Sequence, residues 1–111
     1  MQDDEKLRQQ IADIAVRYIK RTQGELGQLR DALAAIRAGD AEAQKQLERL
    51  AHKIHGSGAM FGFDAISDRA HEIEKLAGSG QTDPDTLTKI EQSLGQLEAE
   101  VTTVSKQQGD T

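Results

Sequence analysis

The chain has 111 residues, enough for one domain, and no cysteine, which excludes disulfides and thiolate metal sites. Its net charge is −5 with both signs interspersed, which argues against a dedicated nucleic-acid binder and against electrostatic attachment to anionic lipid. No apolar run reaches the length of a membrane span and no signal-peptide pattern opens the chain, so a soluble, cytoplasmic protein is expected.

Long stretches rich in Ala, Leu, Glu, Gln, Lys and Arg favour helix nearly everywhere, and no segment reads as a strand. The first helical pattern covers residues 3–38. Asp3, Asp4 and Glu5 suit a helix N-terminus. Leu7, Ile11, Ile14, Tyr18, Leu26, Leu29, Leu33 and Ile36 keep one phase at helical spacing through Gly24 and Gly27. This is one long helix or two nearly in line with a weak point near Gly24, and a short N-terminal helix or helical extension running into a longer one is preferred. Gly39 can end that helix in the left-handed conformation, and Asp40 can cap the next.

The second bundle helix spans residues 41–60, with Ala43, Leu47, Leu50, Ile54 and Phe61 on one apolar stripe. Gly62 then supplies a turn, Asp64 a new cap, and Phe61 and Phe63 plug that end of the core. A third helix over residues 65–77 turns Ile66, Ala70, Ile73 and Ala77 inward. After the connection 78–82, Asp83 and Pro84 read as N-cap and first helical residue. Leu87, Ile90, Leu94, Leu97, Val101 and Val104 form a narrow seam along the last helix. Four helices with short links predict an all-α, antiparallel four-helix bundle with a short N-terminal helix or extension. The single domain takes in residues 1–111, with its core over about 10–104 and a frayed polar tail over 105–111. The apolar seams show no surplus face.

His52 is the residue with chemistry to offer. At about 100° per residue it falls roughly 160° from the middle of its helix's apolar stripe, so it faces water. Gly56 and Ala59 share that outward face and leave the ring uncrowded. A neutral imidazole is a nucleophile near pH 7. Phosphoryl transfer asks its acceptor mainly for positioning and an open approach, because the partner brings the electrophile and Mg²⁺. Lys53 and His55 could add positive charge beside a transferred phosphoryl group. Glu48, one turn earlier, could accept a hydrogen bond from the unreactive ring nitrogen and fix the tautomer. Gly58 points toward the core and reads as a close-packing residue. His71 reads as a solvated surface residue.

The run from Ala51 to Gly62 (AHKIHGSGAMFG) resembles the signature of histidine-containing phosphotransfer, or HPt, domains. On this mapping His52 matches the phosphoacceptor, and Gly56 and Gly62 match the two signature glycines. The resemblance implies a phosphorelay carrier. Such a protein accepts a phosphoryl group through Nε2 from a receiver-domain aspartyl phosphate, or from a partner kinase, and passes it to another receiver. It implies receiver domains and a sensor histidine kinase as partners, with no nucleic acid and no membrane. It implies no cofactor in this chain, Mg²⁺ being expected in the receiver. One position departs from the pattern: the family's usual Lys is here His55, a charged donor only at lower pH.

No glycine-rich nucleotide loop is present, so the chain reads as a carrier rather than an enzyme. A metal role for Glu48, His52 and His55 is not expected, because bundle metal sites use inward-facing residues and Glu-x-x-His repeats on two helices, and neither is present. The alternative from another class is a helical adaptor that docks on signalling partners without taking phosphate.

Overall fold

In the computed structural model, which describes residues 2–109, four helices follow one another: α1 (Gln2–Arg37), α2 (Glu42–Met60), α3 (Asp64–Gly78) and α4 (Pro84–Gly109). No strand occurs among the described residues. α1 packs on α2 and α4, and α3 packs on the same two helices, so the four contacts close a ring around one core. The expected all-α bundle is the observed architecture. Leu29, Leu47, Ala51, Ile54, Ile66, Ile73, Ile90, Leu94 and Leu97 form its centre, each essentially without solvent exposure.

α1 is continuous through Gly24 and Gly27, so the expected weak point is not a break. Its 36 residues would span about 54 Å, whereas the 19 residues of α2 span about 28 Å. α1 therefore overshoots its neighbour. Leu7, Ile11 and Ile14 keep the phase of the core yet are 56, 58 and 45% exposed. The expectation of no surplus apolar face is corrected here, because helical periodicity registers a face without registering whether another helix lies against it.

The links follow their chemistry. Gly39 has φ +95° and Gly62 φ +79°, the region only glycine adopts cheaply. The Asp40 carboxylate accepts the Glu42 N–H at 3.0 Å, and Asp83 accepts from the Thr86 N–H and hydroxyl at 3.2 and 2.6 Å. Asp64 is no cap: it is the first residue of α3, Phe63 holds the cap position, and no side-chain cap bond forms. Phe61 also departs from expectation. It lies beyond the end of α2, 36% exposed, and stacks on Tyr18 at 4.6 Å, while the half-buried Phe63 stacks on the same ring at 5.6 Å. Ala51 takes its place in the buried stripe of α2. α4 stays helical to Gly109, past the point where fraying is expected, and Asp110 and Thr111 lie outside the described residues.

α2 and α3 approach closely at Gly58. A Cβ there would stand 3.1 Å from the Ser67 backbone nitrogen and 3.3 Å from its Cα. Ser67 seals the contact by donating its hydroxyl to the His55 carbonyl at 2.8 Å. From this crossing the partners run in opposite directions. His55 faces His71, His52 faces Glu74, and Glu48 lies against Gly78.

Gly58→Leu should force the two backbones apart and lose about 1–3 kcal/mol. That would lower the thermal midpoint by several degrees at about 4–8 °C per kcal/mol. Gly56→Leu, whose Cβ would meet nothing within 4 Å, should leave the midpoint unchanged or raise it. Thermal unfolding followed by circular dichroism separates the two.

Candidate functional site

The outward face of α2 holds His52, with 74% of its side chain exposed, beside the exposed Gly56 and Ala59. The geometry places the ring as its position on the helix predicts. Gly56 has open space where a side chain would stand, and Gly58 faces inward against Ser67. Gly62 turns the chain out of α2.

The ring does not hang free. Its Nδ1 contacts Oε2 of Glu74, which reaches across from α3. The expected partner, Glu48, is elsewhere: its carboxylate lies against Gly78, one turn farther along the α2–α3 seam. Glu48 shares the helix of His52, but its position carries it away from the ring. Among the described residues, the carboxylate at Nδ1 comes from the neighbouring helix.

Glu74 also gathers the other two histidines. Nδ1 of His55 and Nδ1 of His71 each lie 3.3 Å from its Oε1. The His55 and His71 rings are 4.4 Å apart and tilted, and His52 meets His55 edge-on at 6.4 Å. Only 17% of the Glu74 side chain is exposed. Burial would raise its pKa. Hydrogen bonds from His52 and His71, the charge of His52 and a further bond from His55 outweigh that and hold the carboxyl below the usual range. It is therefore ionised at neutral pH and accepts only, so each facing Nδ1 carries the proton. In the neutral form of the His52 ring this leaves the lone pair on Nε2.

His55 thus turns to Glu74 and not to open solvent. His71, read from the sequence as a solvated bystander, is a member of the cluster. The sequence does contain one signal for this: His71 and Glu74 stand three apart, as do His52 and His55, so each pair shares a helix face. That the two faces meet is decided by packing.

Lys53 leans the other way. Its Nζ lies 3.0 Å from Oε2 of Glu25 on α1, off the hydrogen-bonding direction, so the contact is an ion pair. Glu25 is only 4% exposed, and pairing with Lys53 offsets part of the cost of burying its charge. The expected placement of Lys53 beside the His52 ring is not observed. α1 holds this stretch a second time through Tyr18, whose hydroxyl is 3.1 Å from Ser57 Oγ. The signature helix is thereby fixed from both sides, by α1 through Tyr18 and Glu25 and by α3 through Ser67 and Glu74.

The family model described as the Hpt domain matches residues 6–105, nearly the whole chain. No curated protein and no solved structure matches the chain. No helix among the described residues is long and apolar enough to cross a membrane.

Removing the carboxylate should change the proton's address. In Glu74→Ala, His52 should shift from the Nδ1–H toward the Nε2–H tautomer preferred by an unconstrained side chain in water. Long-range ¹H–¹⁵N correlation spectra above pH 7 report this directly. Identical tautomer signatures in the two proteins would show that Glu74 does not set it.

Proposed function

The chain belongs to the Hpt domain family, whose members carry phosphoryl groups on histidine in phosphorelays, and on that premise we propose that His52 is the phosphoacceptor and Nε2 its nucleophile. The observation that carries this reading is the paired geometry of the ring: exposed to solvent, with Nδ1 on the Glu74 carboxylate. The carboxylate does two things. It keeps the proton on Nδ1, so that Nε2 holds its lone pair. It also faces the positive charge that develops on the ring as Nε2 bonds to phosphorus.

The donor in this reading is the aspartyl phosphate of a receiver domain. Nε2 attacks phosphorus in line, the P–O bond to the aspartyl carboxylate breaks, and that carboxylate leaves with the bonding electrons. Mg²⁺ held by the receiver neutralises the phosphoryl oxygens. Return of the group to a second receiver is the same step reversed. A sensor kinase is the other source the family offers, and the work is cytoplasmic. This chain supplies a ring at a fixed angle and a clear approach over Gly56 and Ala59. His55 and His71 hold Glu74 in place and are positioning residues.

Mixing the chain with Mg²⁺ and a receiver charged with labelled acetyl phosphate should move an acid-labile, base-stable label onto it. His52→Gln should take none, with a stability change within about 0.5 kcal/mol, as for an exposed position. Label persisting in that variant would place the acceptor elsewhere, and tight receiver binding without label would identify a docking adaptor instead.

Gly56→Leu separates access from chemistry. Phosphoramidate, small enough to reach Nε2 past a leucine, should label this variant at the native rate. Transfer from the receiver should fall about tenfold or more, the loss produced by a clash of roughly 1.4 kcal/mol. Equal transfer in both proteins would remove Gly56 from the docking face.

A further inference from the structure

Setting a tautomer requires one acceptor for one ring. Here one carboxylate gathers three imidazoles, and His71 lies outside the signature altogether. Two helices each contribute a pair of donor groups three residues apart: His52 and His55 from α2, His71 and Glu74 from α3. One donor atom from each of His52, His55 and Glu74 lies within 4.8 Å of the other two. Nδ1 of His71 is 3.3 Å from Glu74 Oε1, on the flank of the same group.

We propose that His52, His55 and Glu74, with His71 as a fourth donor, bind one divalent transition-metal ion of the Zn²⁺ type. Imidazole nitrogens with a single carboxylate suit Zn²⁺, Ni²⁺ or Cu²⁺, whereas Mg²⁺ and Ca²⁺ call for mostly oxygen ligands. Zn²⁺ bonds nitrogen at about 2.0–2.1 Å, so neighbouring ligands around a tetrahedral ion stand about 3.4 Å apart. The three donors already stand within 4.8 Å of one another, so the shift each must make to reach that spacing is short. The separation from Mg²⁺ matters physiologically, because the carrier meets its partners in the presence of that ion.

The ion has a consequence for the proposed phosphoacceptor, and this part rests on the reading of His52 given above. A metal on Nδ1 of His52 displaces the proton from that nitrogen. The neutral ring then carries its hydrogen on Nε2, where no lone pair remains for attack on phosphorus. Glu74, ligated in turn, no longer restores the reactive tautomer. Metal-loaded and phosphoryl-accepting states are therefore mutually exclusive, and the ion switches the carrier off.

Calorimetric titration of the full chain with ZnCl₂ in a non-coordinating buffer tests the site. One ion per chain is expected, with affinity at least about tenfold weaker, roughly 1.4 kcal/mol, in His55→Ala and in Glu74→Ala. MgCl₂ should give no binding heat. Circular dichroism verifies that both variants remain folded. Absence of zinc binding at micromolar protein, or affinity unchanged in the folded variants, overturns the site. For the switch, stoichiometric Zn²⁺ should stop phosphoramidate labelling of His52 and a chelator should restore it. Labelling at an unchanged rate with the ion bound overturns the switch. A chain that takes no label with or without metal would refute the phosphoacceptor reading, while the titration still decides the metal site.

Discussion

The close approach of α2 to α3 at Gly58 is the constraint on which the site depends. With no side chain at that position the Ser67 backbone comes within contact distance, and the Ser67 hydroxyl ties off the His55 carbonyl. Two rigid helices pinned at one crossing have their axial register set along their whole length. One turn from the pin His55 meets His71, and the next pair along the seam is His52 with Glu74. A slip of one turn, about 5.4 Å, would leave His52 without its carboxylate. The chemistry of an exposed ring thus rests on a buried contact between small residues.

The site reconciles two requirements that conflict on most surfaces. A nucleophile of the kind proposed for His52 must be open, and its orientation must still be held. Here Gly56 and Ala59 keep the outer side low, while all the restraint comes from below and from the sides. Glu74 holds the ring at Nδ1, Tyr18 anchors Ser57, and Glu25 draws Lys53 toward α1. The carboxylate is partly buried and ionised, an arrangement sustained by imidazole donors around it. The same crowding of nitrogen donors is what the proposed metal site rests on.

Much of the architecture was legible in the residues alone. The seam of α4, the inward set of α3, the glycine turns at 39 and 62 and the Asp83 cap all follow from local pattern and are all observed. Errors fell where a local signal had a non-local answer. Leu7, Ile11 and Ile14 carry the period of a buried face, yet α1 outruns its neighbour there. Phe61 has the hydrophobicity of a core residue, but it lies past the helix end and covers Tyr18 from outside. Asp64 has the identity of a cap and sits one residue too late for it.

The sequence by itself determined the helices, the outward direction of His52 and the clear ground around it, because these depend on periodicity and side-chain size within one element. Only the tertiary structure decided which carboxylate meets that ring. Glu48 was the near candidate along the chain and Glu74, twenty-two residues on, is the partner in space. It likewise decided that His71 joins the cluster and that Lys53 leaves it. The physical reason is that a helix specifies its own faces through hydrogen bonds between residues four apart, whereas the pairing of faces is settled by side-chain volumes and contacts that meet only when the bundle closes.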